Sequence, residues 1–461
     1  MEYKIRLQLN GKEKKHRVSG DEAFSEAAVR FFPFIAGLAS VALVGLLGWT
    51  CGLPLSGAAA AFLMALSPWH LRYSVEARGY SSMILFSLIG LLALIMCLRG
   101  GRWRWWFIYG ASQSAVLLCF AGAIYLIAAQ NFFAVFAIII RGKRRRWMLW
   151  RWAVASALTA IPLILLMAPS VPQILAYFGR QDVYNPDMGM GWLRDVWAHM
   201  VGGIPWADQT AVDPKSPLWG DEAGMHLGTS VMEQNSLRNW VAPMFRLVVP
   251  ALTFCGIVAL CLKNWKTRLL VVAFVWAGVL FYAHNAIAGN PAHGWYLIFL
   301  LPMFALALPA AAEVAIHGRN QPVVVGVMVA IVIGYGFLVG EQLQKLREHD
   351  RQPIRQTVAK INELAGSQTP LTGVFGTSDR QVKTYDPEVR ILQKAEDVDL
   401  LVLEGQAKKR PVFIYYCGDV ISWRKRPEVV QRIASDRRFE RIAYLPGLEA
   451  MYSYRIFRYE R

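Results

Sequence analysis

Charge is scarce in this chain. Only 18% of its 461 residues are Asp, Glu, Lys or Arg, where soluble globular proteins carry roughly 25%. Acids are scarcer still, at 32 against 49 Lys and Arg, for a net charge of +17. Hydrophobic residues make up 55% of the chain, which excludes an intrinsically disordered one. Glycine and proline follow no collagen-like period. Cysteine is limited to Cys51, Cys97, Cys119, Cys255, Cys261 and Cys417, too few for a secreted disulfide scaffold. The first five lie in or beside apolar segments and none has metal-ligand spacing, so we expect neither a structural disulfide nor a zinc site. No glycine-rich phosphate loop follows a strand pattern, so no nucleotide site is expected. Residues 1–30 lack the apolar region of a signal peptide. What the chain has is apolar length, with a mean hydropathy of +0.32. The composition is that of a polytopic membrane protein with a soluble part. On a soluble protein the basic excess would point to nucleic acid; here it fits cytoplasmic loops, and no nucleic-acid partner is expected.

A polar, basic N-terminal segment (1–30) comes first. Apolar segments follow near 31–49, 55–69, 81–98, 106–120, 122–140, 152–169, 241–262, 269–287, 294–313 and 322–340. These predict a multi-pass helical domain over 31–340 with about ten transmembrane segments, although several fall short of the roughly 20 residues a span needs. The stretch 55–69 is the weakest, and 106–140 is read as a hairpin of two helices. Basic residues cluster at 99–104, 141–151 and 263–268. The positive-inside rule puts all three loops in the cytoplasm and the long loop 170–240 and tail 341–461 outside. An amphipathic helix is expected over 341–365. Strands are then expected at Leu371–Phe375, Val389–Leu392, Leu400–Leu403, Pro411–Tyr416, Ile442–Leu445 and Tyr452–Phe457, with a helix over Pro427–Ala434. That alternation predicts a small extracytoplasmic α/β domain over 341–461.

The stretch most able to carry chemistry is Ser67 to Tyr80, SPWHLRYSVEARGY. It sets His70, Arg72, Glu76 and Arg78 at the mouth of two apolar helices, where charge is costly and faces a cavity or a partner. An interfacial ion pair that only fixes a loop is the competing reading. Ser67, Pro68, Tyr73, Glu76, Ala77, Arg78 and Tyr80 resemble a signature of membrane glycosyltransferases with the GT-C fold. That superfamily includes the dolichyl-phosphate-mannose protein mannosyltransferases and the aminoarabinose transferases. GDEAFSEAAVRFFPFIAG resembles the family's entry to its second helix, and PAHGWYLIFLLPMFALALPAA its late helix. The tail resembles the extracytoplasmic domain of many bacterial members, so the likeness runs nearly end to end over 20–461.

The resemblance implies inverting transfer of a sugar from a polyprenyl-phosphate donor at the outer face of the plasma membrane. The partners would be that lipid-linked sugar, membrane lipids and an unidentified acceptor (glycan, lipid or protein). No cofactor or metal is implied. Arg72, Arg78 and Arg30, with Glu76, are the donor-phosphate candidates. The acceptor hydroxyl needs a single base, for which Asp21 and Glu22 are candidates. Their alternative role is a solvated helix start, which suits acids. The family's base follows a first transmembrane helix that the sequence here does not show, and we expect that helix to be missing from this chain. The family's late Arg-Tyr is Trp295-Tyr296 here, and its central Thr-His pair is absent around Cys119–Tyr125. In the long loop, GRQDVYNPDMGMGW offers Asp182, Tyr184 and Asp187 for a sugar or acceptor groove, or a plain connector. His284 and His293 lack a third metal ligand nearby. Two other functions stay open: a flippase for lipid-linked sugars, and an inactive scaffold of the same fold.

Overall fold

The computed structural model describes residues 2–9, 12–19, 26–140, 145–178, 188–202, 247–289, 292–316, 321–348, 350, 352–376, 379–418, 422–423, 425–448 and 452–460. The chain divides into two compact units, Met1–Met188 with Val248–Gly336, and Gly189–Leu247 with Phe337–Arg461.

The first unit opens with strands β1 (Glu2–Leu9) and β2 (Lys12–Ser19), paired antiparallel from Glu2↔Ser19 to Leu9↔Lys12. Only a polar segment was expected there; the signal is Asn10-Gly11 between the strands, a tight-hairpin dipeptide. Helices follow: α1 (Glu26–Thr50), α2 (Pro54–Leu66), α3 (Pro68–Ser74), α4 (Tyr80–Leu98), α5 (Trp103–Cys119), α6 (Ile124–Ile140), α7 (Arg145–Met167) and α8 (Val171–Phe178). Next come α9 (Met190–Gly202), α10 (Val249–Lys263), α11 (Trp265–Val271), α12 (Ala277–Ala288), α13 (Leu301–Ile316) and α14 (Gln321–Glu348). Each apolar segment is helical over its described residues, because a single segment in lipid satisfies its own backbone only as a helix. Among the described residues, seven stretches are long and apolar enough to span: Ala27–Thr50, Tyr80–Leu98, Ala121–Ile140, Arg145–Gln173, Trp265–Ala288, Gly294–Ile316 and Gln321–Gly340. Helices α2, α5 and α10 are shorter, at 13, 17 and 15 residues. The segment read as 55–69 ends at Leu66, and Pro68 begins α3.

Residues 106–140 do form a hairpin. Phe120 is extended at φ −160°, and a 3-10 turn at Ala121–Ala123 leads into α6. A polar network closes it. Gln113 Nε2 donates to Gln130 Oε1 at 2.9 Å, Tyr109 Oη to Asn131 Oδ1 at 3.2 Å, and Trp152 Nε1 from α7 to the same oxygen at 2.8 Å. The three basic loops meet at one end of the bundle. Lys266 Nζ donates to the Thr50 carbonyl and Asn264 Nδ2 to that of Cys51. Arg151 donates to the Gly101 carbonyl, and Cys51 feels the charges of both Arg99 and Lys266.

In the second unit, a five-stranded mixed sheet has the order β4-β3-β5-β7-β6. Its strands are β3 (Leu371–Gly376), β4 (Arg390–Ile391), β5 (Val412–Cys417), β6 (Phe439–Leu445) and β7 (Tyr454–Tyr459). β3 runs parallel to β4 and β5, and β7 antiparallel to β5 and β6. Helices α17 (Ala395–Ala407) and α18 (Pro427–Ser435) cover one face through Val398, Leu401, Val429 and Ile433, while α15 (Ile354–Ala365) covers the other through Ile354 and Ile361. The short helix α16 is Asp379–Val382. Cover on both faces is why VFIYYC, along β5, is buried at every position. Two expectations are corrected. Leu400–Leu403 is not a strand but part of α17, since Val398, Leu401 and Val402 are buried at helical spacing while Leu400 and Leu403 are exposed. Residues 341–365 are not one helix: α14 runs to Glu348, and α15 starts after Pro353, which disfavours helix in the residue before it.

Candidate functional site

Ser67 and Pro68 start α3 for local reasons. The Ser67 hydroxyl accepts the His70 backbone N–H at 3.4 Å, and proline suits the first helical position, where its missing N–H costs nothing. The helix lasts seven residues. Its last residue, Ser74, sits where Gly37 of α1 leaves no room for a Cβ, 2.2 Å from the serine hydroxyl. The chain then bends through Val75–Gly79 into α4. Gly79 is pressed on the Cys119 carbonyl, 2.2 Å from where a Cβ would stand. The bend is therefore pinned to the end of α5.

This short helix and bend bring the charges together. Arg72 Nε lies 3.2 Å from Glu76 Oε1, and Arg78 Nε lies 3.6 Å from Glu76 Oε2. Arg72 is 5% exposed and Glu76 16%, while Arg78 is 44% exposed. Glu76 thus bridges an inner and an outer arginine. Burial pushes the His70 pKa down to about 4, so that ring is neutral at pH 7. The exposed guanidinium of Arg78 is of the kind that suits an incoming phosphate oxygen. Arg30 is exposed on α1, about two helical turns before Gly37.

Aromatic rings continue from the charges. Tyr73 meets Tyr80 edge-on at 4.7 Å, Tyr80 meets Phe120 at 5.5 Å and Phe120 meets Tyr296 at 5.1 Å. His293 stacks flat on Trp295 at 4.1 Å, and burial also lowers its pKa to about 4. Phe281 joins Tyr296 to Tyr125, whose hydroxyl is 2.5 Å from His284 Nδ1.

No protein-family model matches the chain, and no curated protein matches it. Among solved structures the chain is similar to ArnT from Cupriavidus metallidurans. In the apo state the identity is 12%, over 93% of this chain and 83% of that one, with a TM-score of 0.36. In the state bound to undecaprenyl phosphate the identity is 13%, over 95% and 85%, with a TM-score of 0.38. The chain is also similar to the Archaeoglobus fulgidus oligosaccharyltransferase in its complex with zinc and sulfate. There the identity is 13%, over 91% of this chain and 60% of that one, with a TM-score of 0.44.

Of the residues singled out in the sequence, Arg72, Glu76 and Arg78 form one cluster. Asp21, Glu22, Asp182, Tyr184 and Asp187 lie outside the described residues. Among the described residues, no three His, Cys, Asp or Glu side chains gather where a metal ion would sit. His284 and His293 have ring partners instead, Tyr125 and Trp295. The sequence reading missed Tyr125, Asn285 and the aromatic band. Their only signal was the pair of histidines flanking AHNAIAGNPAHG, and Tyr125 lies 159 residues from its partner His284.

Proposed function

We propose that the chain is a membrane glycosyltransferase that takes a sugar from a polyprenyl-phosphate donor at the outer face of the plasma membrane. The observation that carries this reading is the Arg72–Glu76–Arg78 cluster, built on SPWHLRYSVEARGY at the bundle end away from the basic loops. Lipid-linked sugars present their phosphate at the membrane interface, and breaking the bond to the sugar leaves added negative charge on that phosphate. Arg78, the outer guanidinium, meets it. Arg72 holds Glu76 in place, and Glu76 in turn orients Arg78. A positively charged group already in position where charge develops lowers the barrier without reorganising. The transfer also needs a proton acceptor beside the incoming hydroxyl, and Asp21 and Glu22, just before α1, are the carboxylates the resemblance offers.

The test uses the purified full chain in nanodiscs with undecaprenyl phosphate and with radiolabelled undecaprenyl-phosphate sugars. Transfer or release of label, with binding weakened in Arg78→Ala, supports the reading. Movement of lipid-linked sugar across a bilayer without transfer favours a flippase. Binding alone favours a scaffold, and no binding by the wild type refutes the donor.

A further inference from the structure

At the basic end of the first unit, three candidate spans have a terminus: Ala27–Thr50 at Thr50, Tyr80–Leu98 at Leu98 and Trp265–Ala288 at Trp265. Arg99 directly follows the second, and Lys266 stands one residue inside the third. Hydrogen bonds tie the third to the first. The Asn264 side chain accepts the N–H groups of Lys266 and Thr267, at 2.9 and 3.2 Å, and so opens α11, while its Nδ2 donates to the Cys51 carbonyl at 2.9 Å. Lys266 Nζ then reaches the Thr50 carbonyl at 2.8 Å. These carbonyls lie at the close of α1, the negative end of its dipole, which favours a cation. Cys51 is buried and feels the charges of both Lys266 and Arg99, so two like charges stand around one short turn. Among the described residues neither has an ion-pair partner, and residues 50–54, 99–102 and 263–268 contain no Asp or Glu. Glu313, buried at the start of α2, gives its carboxylate to the N–H groups of Leu55 and Ser56. From Thr50 toward the middle of its span, α1 is apolar and open: Trp49 and Leu46 are both exposed, and their three-residue spacing sets them on one face.

We infer that Arg99 and Lys266 hold the phosphate of an anionic phospholipid, whose acyl chains lie along α1 at Leu46 and Trp49. Depth decides for a lipid over a soluble anion. Where a span ends, the bilayer presents its headgroups, so a phosphate already stands at the level of the two cations. Two like charges around one turn repel each other, and an anion shared between them removes that repulsion. Basic pockets between membrane helices take anionic headgroups for this reason, and each Lys or Arg near such a headgroup raises affinity roughly fivefold. The indole of Trp49, at the end of its span, has the amphipathic character that suits the interface between headgroup and chain. The lipid bridges α1, α4 and α11 at one headgroup and holds this end of the bundle together. Its binding is independent of the transfer reaction proposed for the chain.

The experiment titrates the purified full chain in detergent with dioctanoyl phosphatidylglycerol, dioctanoyl phosphatidylcholine and inorganic phosphate, and reads Kd by calorimetry. Phosphatidylglycerol should bind more tightly than either of the others. Arg99→Gln combined with Lys266→Gln should weaken it by about 10–30-fold. Arg99→Gln alone, which gives up no hydrogen bond to α1, should weaken it about fivefold and serves where the double variant does not fold. Arg99→Lys combined with Lys266→Arg keeps both charges and should bind close to wild type. Arg145→Gln combined with Arg146→Gln removes the same charge from another basic loop and should leave binding unchanged. Four results would overturn the site: phosphatidylcholine binding as tightly as phosphatidylglycerol, inorganic phosphate binding as tightly as the lipid, Arg99→Gln binding like wild type, or an equal loss in the Arg145 and Arg146 pair. The second would make this a site for a free anion, and the last would reduce it to diffuse attraction by the whole basic end.

Discussion

Arg72 and Arg78 share one carboxylate but differ in exposure, and that difference separates their roles. Removing Arg72 takes the nearer cation from Glu76, which is 16% exposed. Glu76 keeps Arg78, so the loss is that of a charge-assisted hydrogen bond at a buried guanidinium, and Arg72→Ala should cost about 1.5–3 kcal/mol of stability. Arg78 is 44% exposed, and its ion pair with Glu76 is worth only about 0–1 kcal/mol to folding. Arg78→Ala should therefore melt close to wild type in detergent and bind undecaprenyl phosphate more weakly. The opposite pattern, a large drop in melting temperature with binding intact, would make Arg78 a structural residue. A buried acid elsewhere shows what local sequence cannot reveal. Glu313 of α13 accepts the backbone N–H groups of Leu55 and Ser56, at 3.3 and 2.6 Å, and so caps the start of α2. Glu313→Ala should cost about 1–2 kcal/mol, as lost caps do, and Glu313→Gln less because an acceptor oxygen remains. Arg72, Glu76 and Arg78 were legible because they lie close together in sequence beside apolar helices, where charge is costly. Glu313 and Ser56 are 257 residues apart, and no local pattern joins them.

Among the elements, helix positions were legible and helix approaches were not. Apolar runs and the break at Phe120 mark where helices lie, because lipid leaves the backbone little choice. How closely they pack depends on glycines. A Cβ on Gly48 would stand 2.4 Å from Gly57 Cα, so α1 and α2 touch backbone to backbone, and Gly256 meets the Ala307 carbonyl as closely between α10 and α13. Small residues at such crossings let membrane helices gain dispersion contacts. Gly57→Leu should force α1 and α2 apart and cost about 1–3 kcal/mol, the range for overpacking, read as a lower melting temperature. In the tail, the strand expectation at Leu400–Leu403 failed because leucine and valine suit both states and only burial on the sheet decides. There Asp436 joins the end of α18 to the start of β6. The Arg438 guanidinium first, and then Arg432, hold its carboxyl well below the usual carboxylate range. A depressed carboxylate stabilises the fold above its unfolded pKa of about 4 and loses that contribution as pH falls toward the folded value. Acid titration of melting temperature should fall less steeply below about pH 4 in Asp436→Asn than in wild type.

At the scale of the molecule, the first unit has two unlike ends. One gathers Arg99, Arg102, Arg104, Arg151, Lys266 and Arg268 from three loops that contain no Asp or Glu. The other holds the arginine cluster, the aromatic band and the Tyr125–His284 pair. Chain direction ties the remaining segments to this second end. Tyr282 donates to the Met188 carbonyl, so residues leading into the long loop's close meet α12 there. Helix α14 starts against α2, with Val324 and Met328 on Ala59, and by Gly336 it has reached Leu66 at the far end of α2, where the chain leaves the unit. Positive residues stay on the cytoplasmic side in short loops. We propose on this ground that the basic end faces the cytoplasm and that loop 170–240, the reactive end and the tail lie outside. The test is labelling of intact cells with a membrane-impermeant thiol reagent, in a Cys255→Ser background because Cys255 is the exposed native thiol among the described residues. Glu396→Cys on α17 should label in intact cells, and Arg102→Cys, between α4 and α5, only after lysis. Labelling of Arg102→Cys from outside, with Glu396→Cys protected until lysis, would invert the molecule. That result would put the arginine cluster on the cytoplasmic leaflet, where a donor presented only at the outer face cannot reach it.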